Sequence, residues 1–220
     1  MKKFLSITGI VLLFIIAFGL IFNEPIKEFA VDHMSNKFLS GLTVGQVEKN
    51  SKKKANYDFK KVKPISAGQV AKASINNDAA IIGKMSVPAV DLYLPILKGL
   101  SNDALSTGGG TMKANEKMGK GNYALAGHYM TNQGVLFSRL QNVQLGDKAY
   151  ITNIKKVYTY KIYYKKVVPP TAVYLIDDSP GKKLLTLITC ADGGTNRWAI
   201  QGSLVKTQKA NTKTLSVFSK

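Results

Sequence analysis

The feature that most limits this chain is an uncharged apolar run, FLSITGIVLLFIIAFGLIF, from Phe4 to Phe22, directly behind Met1-Lys2-Lys3. At the helical rise it spans roughly 28 Å, close to a bilayer hydrocarbon core of about 30 Å. A cleavable signal peptide is the competing reading. Ala17-Phe18-Gly19 is a poor small-x-small site, and the apolar run continues past it to Phe22. The run is therefore read as an uncleaved signal-anchor. Lys2 and Lys3 keep residues 1–3 in the cytoplasm, with Glu24, Glu28 and Asp32 on the far side. The later lysines carry little weight in orientation, because long domains translocate largely regardless of charge. The remainder is expected outside the cell, tethered to the membrane.

Past the anchor the texture changes twice. Residues 23–70 include the lysine-rich NSKKKANYDFKKVKP and read as an extracellular stalk, starting with a helix continued through Phe38. From Ala71 to about Thr207, short β-type runs alternate with turn residues. AIIGKMSVP and VDLYLPI read as strands ending at Pro88 and Pro95. NDALSTGGG reads as a helical turn capped by Asn102, and GNYALAGH as a strand after Gly121. GVLFSRLQN suggests a short helix. KAYITN and KKVYTYKIYYKKVV form a hairpin, with Tyr158, Tyr160, Ile162 and Tyr164 on one face of its second arm. TAVYLIDDSPGK is a loop with one helical turn, and KLLTLITC and RWAIQGSLVK close the domain. Seven or eight short strands with few helices, within about 135 residues, predict an all-β barrel or sandwich. Residues 208–220 read as a loose basic tail.

The formal net charge is +18, and only two of the 31 basic residues are arginines, Arg139 and Arg197. A surface rich in lysine is read first as a solvated basic surface, and otherwise suits nucleic acid, anionic lipid or anionic polymer. The scarcity of arginine argues against nucleic-acid base reading, where the bidentate contact to guanine is usually an arginine contact.

Cys190 is the only cysteine, so no internal disulfide can form, and a lone thiol in an exported chain is a flag for reactivity. The bland alternative is a buried, inert cysteine. A nucleophilic thiol needs a base, and there are two histidines. His33 follows the anchor too closely for a packed site, whereas His128 ends the NYALAGH strand inside the domain. Arg197 lies across the ADGGTN loop from Cys190. If the two flanking strands pair, thiol and guanidinium emerge at one rim, where fixed donors could hold an oxyanion. Cys190, His128 and Arg197 at three strand ends make a candidate acyl-transfer site.

With TLITC at 186–190, LAGH at 125–128 and Arg197 in that order, the chain closely resembles the sortases, specifically the class A transpeptidases of Gram-positive bacteria. The resemblance covers about residues 75–207. It implies the eight-stranded sortase β-barrel with a few short helices, preceded by an N-terminal transmembrane helix. By that resemblance Cys190 attacks the Thr–Gly carbonyl of an LPxTG-type sorting signal on a secreted surface protein. His128 serves as acid, then base, and Arg197 positions substrate and supports the oxyanion. An amine of the peptidoglycan precursor (lipid II) then resolves the thioester. Thr189 and Ala126 match groove-lining positions, while Val173, Leu175 and Ile176 fall in the loop that covers the Leu-Pro part of the signal. Some class A members bind calcium through carboxylates ahead of the histidine strand. Here MKANEKMGKG places Lys113 and Lys120 at two of those positions and leaves Glu116. Ammonium groups repel a divalent cation, so no metal or other cofactor is expected.

Two other readings stay open on sequence. One is a different wall-directed cysteine enzyme, an amidase or an L,D-transpeptidase. The latter would want Ser-His-Gly before the cysteine, where this chain has Leu-Ile-Thr. The other is a non-enzymatic, membrane-anchored basic module binding anionic wall polymers, which leaves the Cys-His-Arg set as coincidence.

Overall fold

The computed structural model describes residues 2–39, 41–64, 66, 68, 69, 80–130 and 134–219, with backbone only at 2–7, 24 and 60. Eight strands close into one barrel: β1 (Ile81–Val87), β2 (Leu92–Leu97), β3 (Gly109–Thr111), β4 (Asn122–Ala126), β5 (Lys148–Thr152), β6 (Lys156–Val168), β7 (Leu184–Ala191) and β8 (Asn196–Lys209). Around the barrel they run β1-β2-β3-β4-β7-β8-β6-β5. The β2–β3 and β4–β7 joints are parallel and the others antiparallel. Met85, Ile96, Leu125, Tyr160, Leu187 and Ile200 meet in the core. Side chains of this size stabilise by about 1.5–3 kcal/mol each when fully buried.

The β5–β6 hairpin forms as expected, and Tyr158, Tyr160 and Ile162 do face inward. Register shifts against β8 near Tyr160 and between Ile162 and Tyr164 then break the alternation, leaving Tyr164 only half-buried. Pro95 does not end its strand; it lies within β2, opposite Lys84. β3 begins to pair with β2 only at Ile96, so a position without an N–H is tolerated there. The helical turn Asn102–Leu105 is capped by Ser101, whose Oγ accepts the Ala104 N–H at 3.1 Å, and not by Asn102.

The expected stalk lies on the barrel. Helix α1 (Lys2–Ile21) is followed by α2 (Asn23–Leu39) and α3 (Val44–Ser51). Val31, Met34 and Phe38 of α2, at helical spacing, pack against the barrel core. Ser35 donates its hydroxyl to the Thr107 carbonyl at 2.6 Å. Helix α3 starts at a Thr43–Gln46 capping box, buries Val47 and ties Asn50 to the Ile81 carbonyl at 2.9 Å. The lysine-rich surface of this stretch hides a sparse apolar stripe. The stalk–domain boundary expected at residues 70–71 falls outside the described residues.

The C-terminal residues are also ordered against the barrel. Asn211 caps a short helix, Thr212–Leu215, and Phe218 is buried against the β1 side of the barrel. An aromatic side chain hidden from water outweighs the basic look of that tail.

Among the described residues no single helix is long and apolar enough to cross a membrane. Thr8–Ile21 and Pro25–Leu39 pass that test only together, bent by 64°. From Ile10 onward the described apolar side chains of α1 are exposed: Phe14 is 73% and Leu20 74% exposed.

Candidate active site

The site grows out of two strand pairings on either side of β7. In the antiparallel β7–β8 ladder, Cys190 is the direct partner of Arg197. Such partners share a face, with Cβ atoms about 4.5–5.5 Å apart. The turn between them, Asp192–Gly194, holds three successive residues at positive φ, 51°, 65° and 98°. Aspartate tolerates that region and glycine adopts it freely, which is why Asp-Gly-Gly can reverse the chain so tightly.

On its other edge β7 runs parallel to β4, from Asn122↔Leu184 to Ala126↔Ile188. Two further bonds carry the register on. The Gly127 N–H donates to the Ile188 carbonyl at 3.1 Å, and the Thr189 hydroxyl to the Gly127 carbonyl at 2.8 Å. The constant offset of 62 positions puts His128 in step with Cys190. Imidazole, thiol and guanidinium thus fall in one row, His128 two residues past the end of β4, Cys190 on β7 and Arg197 on β8, with the thiol in the middle. Adjacent strands lie about 4.8 Å apart, so the row is compact.

Leu185 and Leu187 of β7 point into the barrel core, while Ile188 belongs to a second apolar cluster outside the barrel wall, with Leu100, Leu105, Met112 and Ala126. Cys190 and His128 open with Arg197 onto a cleft of about 150 Å³ floored by that cluster. Cys190 is half-buried and its thiol is free. His128 is 9% exposed, and among the described residues its Nε2 has no hydrogen-bond partner. Burial pushes its imidazole down to about 4, so it is a neutral base at neutral pH. Arg197 donates Nη1 to the carbonyls of Gly194, at 2.7 Å, and Asn196, at 2.8 Å. Backbone carbonyls leave its positive charge uncancelled, and among the described residues it pairs with no carboxylate.

The Phe137 ring closes on Gly127 so tightly that a Cβ there would lie 2.5 Å from the ring. The Phe137 N–H donates to the His128 carbonyl at 3.1 Å. Gly127 therefore lets an aromatic ring buttress the segment that carries His128.

Ala126 and Thr189 both border the cleft. The Thr189 hydroxyl is spent on the Gly127 carbonyl, so it braces the histidine segment. In the 3₁₀ turn Val173–Ile176, Val173 is 65% exposed and Leu175 is buried, while Ile176 packs on the outer apolar cluster. Three polar residues that sequence reasoning passed over anchor this loop. The Leu175 carbonyl accepts from Asn122 Nδ2 at 2.8 Å and Gln201 Nε2 at 2.9 Å, and Thr186 Oγ1 donates to Asn122 Oδ1 at 2.6 Å. Their signal was polarity at strand positions that should be apolar.

Loop and barrel are joined a second time by charge. Asp178 Oδ1 accepts from Lys113 Nζ at 2.7 Å and from the Asn122 N–H at 2.9 Å. The lysine, with those hydrogen bonds, holds this carboxyl below the usual range. Glu116 accepts the N–H groups of Ala124, at 2.9 Å, and Met112, at 3.3 Å. Burial nevertheless raises its carboxyl to about 8, outweighing those hydrogen bonds.

A free thiol beside a neutral imidazole, with a guanidinium on its far side, is equipped for acyl transfer. A closed barrel of this build with that row at one rim is the architecture of the sortases. The crystal structure of Listeria monocytogenes sortase A matches it with a TM-score of 0.61 at 36% identity, covering 64% of this chain and 99% of that one. Residues 85–205 match the Sortase domain family. Sortase A of Streptococcus agalactiae is 41% identical over 216 residues, covering 94% of this chain and 87% of that protein. Sortase A of L. monocytogenes is 36% identical over 203 residues, 90% of this chain and 91% of that protein. The chain belongs to the sortase family, the transpeptidases that anchor proteins to the cell wall.

Proposed function

We propose that this protein is a membrane-anchored cysteine transpeptidase acting on LPxTG-type sorting signals of secreted surface proteins. The observation that carries the reading is the row His128–Cys190–Arg197, built from the end of β4 and the β7–β8 pair and opening onto one cleft. His128, neutral at physiological pH, takes the thiol proton as Cys190 Sγ attacks the Thr–Gly carbonyl. The guanidinium of Arg197 faces the developing oxyanion or the peptide carbonyl beside it. As the intermediate collapses, the C–N bond breaks, His128 returns its proton to the leaving glycine amine, and a thioester to Cys190 remains. An amine of the peptidoglycan precursor (lipid II) attacks that thioester, losing a proton to His128 and restoring the thiol.

The exposed apolar surface of α1 supports anchoring in the membrane; on this reading the barrel lies outside the cell. Because α2 packs on the barrel, the catalytic domain would sit close to the lipid surface. The reading also includes independence from calcium. The Lys113–Asp178 pair joins the covering loop to the barrel directly, and both Glu116 oxygens accept backbone N–H groups. A direct test is an internally quenched LPxTG peptide offered with an amine acceptor. Cleavage should occur between Thr and Gly, with product joined to the acceptor. Turnover that persists in Cys190→Ala would refute the assignment of the nucleophile.

A further inference from the structure

One wall of the catalytic cleft comes from outside the barrel. Phe59 and Val62, on the segment that precedes β1, border the same cleft as Cys190, His128 and Arg197. Val62 packs against the outer apolar cluster that also takes in Ala126 and Ile188. The barrel itself sets the course of this segment. The Leu100 N–H donates to the Asn56 carbonyl at 2.7 Å, Lys98 Nζ donates to the Lys53 carbonyl at 2.7 Å, and the Lys63 N–H donates to Asn102 Oδ1 at 2.9 Å. Apart from the 3₁₀ turn Phe59–Lys61, the chain here has no regular secondary structure and is held by these neighbours.

Two apolar side chains are thereby fixed at the mouth of a reaction site, and their exposure differs in a telling way. Val62 is half-buried on the floor, whereas Phe59 leaves 47% of its surface open above it. The segment also leaves the cleft open, with about 150 Å³ of space beside it. That is room for one aliphatic side chain, and its walls are apolar except at the Cys-His-Arg end.

We infer that residues 56–63 form the outer wall of the acyl-donor subsite, where Phe59 and Val62 grip an apolar side chain of the peptide N-terminal to the bond attacked by Cys190. The inference rests on the peptide-transfer reading above. The peptide's apolar residue is held between Val62 and Ile188, with the Phe59 ring as its outer cover. Phe59 and Val62 are positioning residues: they set the depth of the acyl donor and leave the thiol and imidazole untouched.

The test uses the full-length chain carrying Phe59→Ala with Val62→Ser. KM for the quenched LPxTG peptide rises about fivefold, the worth of one or two methylenes removed from apolar contact, while kcat stays within about twofold. Unchanged KM overturns the proposal. A lower KM also overturns it, since it would mean the segment obstructs the cleft. A second measurement needs no peptide turnover, because Cys190 is the only thiol. The ratio of its alkylation rates by N-benzylmaleimide and by iodoacetamide falls about threefold in the variant as apolar contact with the larger reagent is lost. An unchanged ratio overturns the wall. If the variant shows that fall in ratio but the wild type never cleaves the peptide, the substrate assignment fails and the apolar wall stands.

Discussion

His128 stands in register with Cys190, two residues beyond the last strand pair of the parallel β4–β7 ladder. The spacing between base and thiol is therefore set by backbone pairing and braced by the Thr189 hydroxyl. Side-chain packing adds the Phe137 ring behind Gly127. This rigid mounting has consequences that can be measured.

Removing either end of the proton-transfer pair should abolish turnover without unfolding the barrel. Cys190→Ala is expected to leave no detectable transpeptidation. His128→Ala should lower kcat/KM by about 10²–10⁴-fold, the usual worth of a positioned acid–base group. Steady-state kinetics with the quenched peptide, alongside thermal unfolding of each variant, check this.

Arg197→Lys keeps the charge and loses the planar donor fork that the carbonyls of Gly194 and Asn196 orient. A loss of about 10²-fold or more in kcat/KM is expected, as for removal of an oxyanion donor. A loss under about threefold, less than ~0.7 kcal/mol, would place Arg197 away from the reaction centre.

Gly127→Ala tests the mounting. A methyl group 2.5 Å from the Phe137 ring forces that ring or the His128 segment to move. The variant should lose about 1–3 kcal/mol in denaturant unfolding. Its kcat should fall as well, because the base is displaced. Gly127→Ala combined with Phe137→Leu should recover part of the activity.

Two buried groups give stability opposite dependences on pH. The folded state holds His128 neutral down to about pH 4, against an ordinary value of 6.5. Between those values the unfolded chain binds the extra proton, so stability falls as pH drops, by up to ~3 kcal/mol. His128→Asn should flatten that acid limb of the unfolding midpoint. Glu116 behaves in reverse: its carboxyl is raised to about 8 from 4.5, so the folded state keeps a proton that the unfolded chain releases. Stability is then lost as pH rises from 4.5 through 8, and Glu116→Gln should remove that loss.

Chelation should leave the reaction rate unchanged, since Lys113 pairs with Asp178 where a cation would otherwise be needed to join the loop to the barrel. Lys113→Ala should raise KM while leaving kcat nearly unaltered. A several-fold loss of activity in chelator would sink the calcium-independent reading.

The strand content, the Cys-His-Arg set and the reversal at Asp-Gly-Gly were legible because each is local. Alternating apolar residues, a lone thiol and turn-forming residues declare themselves within a few positions of the chain. So was the likeness of TLITC and LAGH to the sortases, now matched by the barrel and the family relationship. The helix expected through Phe38 forms, as Asn23–Leu39, but its packing on the barrel, the ordered C-terminal residues and Pro95 within β2 were misjudged. The first two depend on partners distant in the chain, Thr107 for Ser35 and β1 for Phe218, whereas Pro95 is held by its hairpin partner in β1.

From its amino acids alone the chain specified which chemistry was possible: one thiol, one base inside the domain, one guanidinium beside the thiol. Only the closed barrel decided that these meet. The parallel β4–β7 register aligns residues 62 positions apart, and strand pairing of that range depends on the whole sheet closing on itself. The wall at Phe59 and Val62 is likewise a tertiary product, since nothing near those residues in the chain reveals that the Leu100 N–H and the Lys98 and Asn102 side chains draw them to the cleft.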